Sequence, residues 1–417
     1  MMKNVQVNGT RLWDSLMEMA QHGATKKGGV CRLALTDIDK AARDLFVQWC
    51  EQAGCTVTVD KMGNIFARRP GRDNSLPPVV MGSHIDSQPT GGKFDGIYGV
   101  LSGLEVIRSL NDMDYETNAP IEVSAWTNEE GSRFAPAMVA SGVFAQVFDL
   151  EYGLSRADVD GKTMGEELER IGYAGEDEVG GREFTAFFEV HIEQGPILEN
   201  EEKTIGVVTD AQGQRWYEIT LTGQEAHAGP TPLPTRKDAL LGAARIIHTV
   251  NRIGMDNQPN GCATVGMIQV HPNSRNVIPG QVFLTVDFRH PNADILEAMN
   301  DELEIEIRKI VDTIGLEMEF EQIWYSPPVA FDSDCVNAVR KAAEQGGYAH
   351  RDIVSGAGHD ACYINKVAPT AMVFIPCENG ISHNEEENAT PDDITAGAQV
   401  LLQAVIERAN SVGTTGE

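Results

Sequence analysis

Four short segments carry side chains whose types and spacing suit metal-assisted hydrolysis. In MGSHIDSQPTGGKFDGIYG, His84 and Asp86 leave an expected strand and Asp95 sits at the start of an expected helix. Alternation along an extended chain puts His84 and Asp86 on one side, so the Asp86 carboxylate can orient the imidazole of a metal-bound His84. In AWTNEEGSRF, Glu129 and Glu130 follow a strand. Adjacent carboxylates point to different sides, leaving one to bind metal and the other to move protons. FFEVHIEQGPILE places His191 near the end of an apolar strand, and NGISHNEEE carries His383 in a glycine-bearing loop. Each segment alone has a plainer reading: Asp95 as a helix cap, the glutamates as solvated loop, His191 as a satisfied core histidine, His383 beside an acidic surface. Together the segments lie at strand ends that can converge on one sheet edge. Two metal sites sharing a bridging aspartate can be built from His84, Asp95, Glu130, His191 and His383. Nitrogen and oxygen donors without thiolate accept Zn²⁺, Mn²⁺, Co²⁺ or Ni²⁺ alike.

The elements that must position these groups follow from patterning. The first half alternates: helix from Thr36 to Cys50, strands Cys55–Asp60, Asn64–Arg68 and Val79–Ser83, helix Gly96–Leu110, strand Ile121–Thr127. Such alternation predicts an α/β sheet with helices on both faces and ligand sites beyond the carboxyl ends of its strands. After a strand at Thr204–Asp210 the order becomes strand Gln214–Thr222, helix Arg236–Ile253, strands Ala263–His271 and Gln281–Arg289, helix Ala293–Thr313, strand Leu316–Trp324. That βαββαβ order is a ferredoxin-like α+β unit. From Asp332 the α/β style resumes with helix Cys335–Gln345, strand Thr370–Ile375 and helix Ile394–Ala409. The expectation is one α/β domain, 1–211 and 331–417, interrupted by a second domain, 212–330, joined through two connections that can act as a hinge.

A length of 417 residues suits two domains, and a hydrophobic content of 41% with 23% charged residues describes a globular enzyme. The net charge of −29 argues against nucleic-acid and anionic-membrane partners. An anionic substrate would need local capture by metal or arginine. The first residues lack a signal or transit pattern, and no apolar run approaches the roughly 20 residues of a membrane span. Seven cysteines without a CxxC pair fit reduced thiols. The expectation is a cytoplasmic, soluble protein.

On GSHIDSQPTGGKFDG, TNEEGSRF, HIEQGPILE, GQEAHAGPTP with RKDA, HPNSRNVIPG, VDFRH, SGAGHDA and NGISHN, in that order, the chain resembles the dinuclear-metal aminoacylase and carboxypeptidase superfamily. Within it, the likeness is to the hydantoinase/carbamoylase group of N-carbamoyl-L-amino acid hydrolases, β-ureidopropionases and allantoate amidohydrolases. The resemblance implies a metallopeptidase-like catalytic domain and an inserted lid and dimerisation domain. It implies two divalent ions, zinc first among the candidates, with His84, Asp95 and His191 on one and Asp95, Glu130 and His383 on the other. Glu129 would be the general base and later acid, and Asp86 the orienter. His227 of GQEAHAG would stabilise the tetrahedral oxyanion, in many members from the neighbouring subunit of a homodimer. Arg289 and Asn276 would grip a substrate carboxylate, with Gln194 and Gly358 as further contacts. The implied reaction is removal of the carbamoyl group from N-carbamoyl-L-amino acids or N-carbamoyl-β-alanine, releasing ammonia, carbon dioxide and the amino acid. Allantoate hydrolysis is the near alternative; N-acyl amino acid or peptide hydrolysis is a more distant one, because peptidases often have an acidic residue at the position of His191. A non-catalytic scaffold would have lost one of these side chains, and none is missing.

Overall fold

A computed structural model describes residues 5–412. The chain divides between Thr209 and Asp210 and again between Val329 and Ala330 into two compact units, the second inserted in the first.

In the first unit the sheet runs Thr56–Val59, Ile65–Arg69, Ile121–Trp126, Val79–His84, Ala186–Ile192, Thr370–Ile375, Ile205–Ala211, with His350–Ser355 also paired to Ile205–Ala211. The four strands from Ile121–Trp126 to Thr370–Ile375 are mutually parallel. Every residue of these four is buried. That is the reason they read as continuous apolar runs rather than alternating ones, since a parallel sheet is covered on both faces. Their carboxyl ends are in register, His84 beside Trp126 and Ile375 beside Ile192, so the segments that follow leave the sheet along one edge.

Helix Asp37–Gln52 starts at the expected cap, with the Thr36 hydroxyl accepting from the Asp39 amide. Helix Ile97–Asp112 packs on the parallel strands, almost wholly buried. An N-terminal helix, Gly9–Met19, was not expected. Its buried stripe of Leu12, Leu16 and Met19 is narrow, and Asn8 caps it by accepting from the Arg11 amide.

The second unit has an antiparallel sheet in the order Ile268–His271, Gln281–His290, Gly213–Thr222, Glu317–Ser326. Helices Ala239–Asp256 and Ala293–Ile314 share one core with it, where Ile246, Val250, Leu303 and Ile307 meet Tyr217, Ile219 and Leu284. Truncating any of these large side chains to alanine costs about 2–5 kcal/mol. Two details depart from the pattern. The strand expected over Ala263–His271 is split into Cys262–Thr264 and Ile268–His271, both paired to Gln281–His290. The residues between Thr264 and Ile268 outnumber by one those between their partners Asp287 and Leu284, so the strand bulges there. The first helix begins at Ala239, because Asp238 caps it and Leu233–Thr235 form a separate turn.

Candidate metal centre

The common strand edge collects the expected ligands. His84 is the last residue of its strand, and His191 is the penultimate residue of the next. Glu129 and Glu130 follow Trp126 in a loop, and His383 comes from the loop after Thr370–Ile375. Asp95 stands just before helix Ile97–Asp112, whose N-cap Gly96 has φ +66°. A Cβ on Gly96 would lie 2.3 Å from the His84 ring, and the Gly96 amide lies 3.1 Å from His191 Nε2. Only glycine fits this crossing. Gly96→Ala is therefore expected to displace His84 and weaken metal binding by at least the roughly tenfold loss typical of disturbed outer residues, measurable by calorimetry.

Three groups of possible ligand atoms form, with the atoms in each within 4.8 Å of one another: His84, Asp95 and His191; Asp95, Glu130 and His383; and Glu189, His191 and His359. The first two share Asp95. Asp95 Oδ1 lies 3.7 Å from His84 Nε2 and 3.1 Å from His191 Nε2. Its other oxygen, Oδ2, lies 3.4 Å from His383 Nε2, and that nitrogen is 3.3 Å from Glu130 Oε2. Two ligands bonded at about 2.0–2.2 Å to one tetrahedral ion sit about 3.3–3.6 Å apart. The observed separations bracket that value. The donor set fits a divalent cation in a further way: Glu130 Oε1 is buried without a hydrogen-bond partner, a state that costs free energy unless something positive occupies its lone pairs.

Outer contacts set the rings. His84 Nδ1 is 2.9 Å from the Asp86 main-chain oxygen and His191 Nδ1 is 2.8 Å from that of Ile192, which turns each Nε2 toward Asp95. Here the geometry differs from the alternation argument. The Asp86 carboxylate is 3.8 Å from His84 Nδ1 and instead accepts the amides of Glu129 (3.2 Å) and Glu130 (3.3 Å). A side chain on the same side of a strand is not thereby in hydrogen-bond range. The Asp86 backbone orients His84 while its carboxylate fixes the glutamate loop.

Electrostatics follow from this crowding. Burial, then Asp360 and the carboxylates of Glu130, Asp86 and Asp95, push Glu129 well above the usual carboxylate range. Burial and Asp95 do the same to Glu130. Asp86 is pushed up to about 7 by burial, then by Asp39. Burial lowers His84 to about 4. For His191, burial is outweighed by its hydrogen bond to Asp95 and by the charges of Asp95 and Glu189, and it rises to about 9. Burial also opposes ionisation of Asp95, yet the three imidazoles hold it below the carboxylate range. Two divalent cations would reverse the penalty on Glu129 and Glu130.

Glu129 points into the same space, with Oε2 3.5 Å from His84 Nε2. Gln194, at φ +58°, donates from Nε2 to Asp95 Oδ2 at 2.9 Å, leaving its Oε1 buried without a partner. Gly358 lies in the loop before helix Asp360–Ile364, partly buried. The remaining expected residues belong to the inserted unit. There the two-stranded pairing of Ala226–His227 with Val277–Ile278 sets His227 close to Asn276, whose carbonyl accepts the Ala228 amide. Arg289 is held by Asp287 through a 2.8 Å ion pair. Sequence reasoning overlooked Gln88, Ser382 and Glu387. Gln88 donates to Glu130 Oε2 at 2.7 Å, and Ser382 lies 3.2 Å from Asp95 Oδ2. A glutamate in the run NEEE gives no signal that separates it from solvated surface.

The model of peptidase family M20/M25/M40 matches residues 80–407. An N-carbamoyl-L-amino-acid amidohydrolase of Rhizobium meliloti is 53% identical over 410 residues, covering 98% of this chain and 99% of its own length. An allantoate amidohydrolase of Bacillus subtilis (strain 168) is 33% identical, covering 95% and 97% respectively. Among solved structures, an amidase of the hydantoinase/carbamoylase family from Burkholderia vietnamiensis superposes with a TM-score of 0.97 at 70% identity, covering 98% of this chain and 99% of that one.

Proposed function

The chain belongs to peptidase family M20/M25/M40, with an α/β fold of the hydantoinase/carbamoylase type, and on that premise we propose that it is a dinuclear-metal amidohydrolase removing the carbamoyl group from N-carbamoyl-L-amino acids. The observation that carries this reading is Asp95, whose two oxygens each face a separate ligand group while Glu129 stands alongside. Bound there, two divalent ions, with Zn²⁺ the first candidate and Mn²⁺, Co²⁺ or Ni²⁺ the others, would polarise the ureido carbonyl and lower the pKa of the attacking water. His84, Asp95 and His191 are proposed to hold one ion, and Asp95, Glu130 and His383 the other.

In the proposed reaction Glu129 takes a proton from water as its oxygen adds to the ureido carbon. Glu129 then returns that proton to the departing nitrogen as the C–N bond breaks, so no net proton is left on the enzyme. That cleavage leaves a carbamate, whose remaining C–N bond breaks without further catalysis as carbon dioxide is lost, so that the free amino acid, ammonia and carbon dioxide result. Asp86 serves by holding the main chain of Glu129. From the inserted unit we assign His227 to the oxyanion, and Arg289 with Asn276 to the substrate carboxylate, which a planar guanidinium holds through two parallel hydrogen bonds. Gln194 and Gly358 are assigned as further substrate contacts. Arg289→Ala is expected to raise KM by about tenfold or more, the worth of a charged hydrogen bond, with metal content unchanged.

Among the described residues no helix is long and apolar enough to cross a membrane. A cytoplasmic location is part of the proposal. So is a homodimer through the inserted unit, supported by the exposed Leu240, Leu241, Ile247 and Met255 of one helix.

Ammonia release from N-carbamoyl-L-α-amino acids, N-carbamoyl-β-alanine and allantoate, with free amino acid release from N-acetyl-amino acids followed as the control, tests the substrate. Turnover of N-carbamoyl-L-amino acids above the rest is expected. Ammonia from allantoate alone would transfer the assignment to ureide breakdown.

A further inference from the structure

Asp95 belongs to both ligand groups, and it must stand at fixed separation from His383 for the second to form beside the first, yet the two come from loops far apart in the chain. His383 is held at φ +52°, a left-handed conformation that a non-glycine residue keeps only when its surroundings impose it. Ser382 reaches Asp95 Oδ2 directly and Gln194 bonds both, but it is Glu387 that ties the main chain of the Asp95 loop to the other loop. The buried Glu387 accepts the amides of Phe94 and Asp95 on Oε1 at 3.0 and 3.1 Å. Its Oε2 accepts the Ser382 hydroxyl at 2.9 Å, one residue before His383. The backbone amide of Glu387 donates to the Asn384 carbonyl, closing its own turn. The Asp95 loop is shaped to admit it, since a Cβ on Gly92 would fall 2.0 Å from the Glu387 carboxyl carbon.

We propose that Glu387 is a positioning residue that locks the Asp95 loop to the His383 loop, so that the two metal groups assemble together. It bonds the main chain on one side and Ser382 on the other, and it is not itself a member of either ligand group. The inference rests on the dinuclear reading but on no particular substrate.

Calorimetric titration of the metal-stripped full chain with Zn²⁺, without substrate, tests it. Glu387→Ala is expected to weaken both sites by about 10–100-fold, the usual effect of removing an outer partner. Glu387→Gln, whose amide oxygen can still accept both loop amides and whose NH₂ can donate to Ser382, is expected to stay within about threefold of wild type by the same scale. Should the alanine variant fail to fold by circular dichroism, Glu387→Asp keeps the charge and withdraws it by one methylene, and it is expected to weaken both sites equally. Unchanged affinity in a folded Ala or Asp variant overturns the proposal, as does weakening of one site alone. A wild-type chain that takes up no Zn²⁺ would sink the dinuclear reading instead, before any variant is compared.

Discussion

Glu129→Gln is expected to lower kcat by about 10²–10⁴-fold while the chain keeps its metal, because the change removes proton transfer and little else. The side chain is buried, reaches His84 Nε2 only at 3.5 Å, and belongs to neither ligand group. Its main chain is anchored independently by Asp86, so glutamine can occupy the same place. Burial and neighbouring carboxylates push the Glu129 pKa upward, which favours the protonated form; bound cations would pull it back to a value that suits a base. Kinetics of the variant beside its metal content by mass spectrometry check this. A variant with normal kcat would remove Glu129 from the proton path.

The second large effect is expected at Asp95. Asp95→Ala should abolish metal binding in both groups at once, where loss of His191 or Glu130 should cost mainly one. The reason is that Oδ1 serves the His84 and His191 side and Oδ2 serves His383. The loss should exceed the about 10–100-fold effect of outer residues. Metal analysis and activity are expected to fall together, and retention of one tightly bound ion would show that the aspartate does not bridge. The apo chain should lose less stability than the holo chain, because the carboxylate is buried among other acidic groups and its main service is to the cations.

The centre was legible where chemistry and periodicity coincide. His84 and His191 stand at strand ends, Asp95, Glu130 and His383 lie in the segments that follow strands of the same sheet, and four buried parallel strands read plainly from their apolar runs. What escaped is three-dimensional. Alternation gave the side on which Asp86 lies, yet not that its carbonyl takes the His84 ring while its carboxylate takes two amides. The break between Thr264 and Ile268 depends on register with Gln281–His290 rather than on local preference. Glu387 sits in an acidic run, and its burial is decided by Gly92 nearly three hundred residues earlier in the chain. The left-handed backbone of His383 is likewise hard to foresee, since histidine is enriched there yet adopts it only uncommonly.

The central claim is that two cations on these ligand groups drive ureido hydrolysis, and stepwise Zn²⁺ addition to the chelated chain, with ammonia release from an N-carbamoyl-L-amino acid followed at each step, tests it most directly. The account predicts no turnover in the stripped protein and full activity only as the second equivalent binds. Turnover by the metal-free chain, or full activity after a single equivalent, would contradict it.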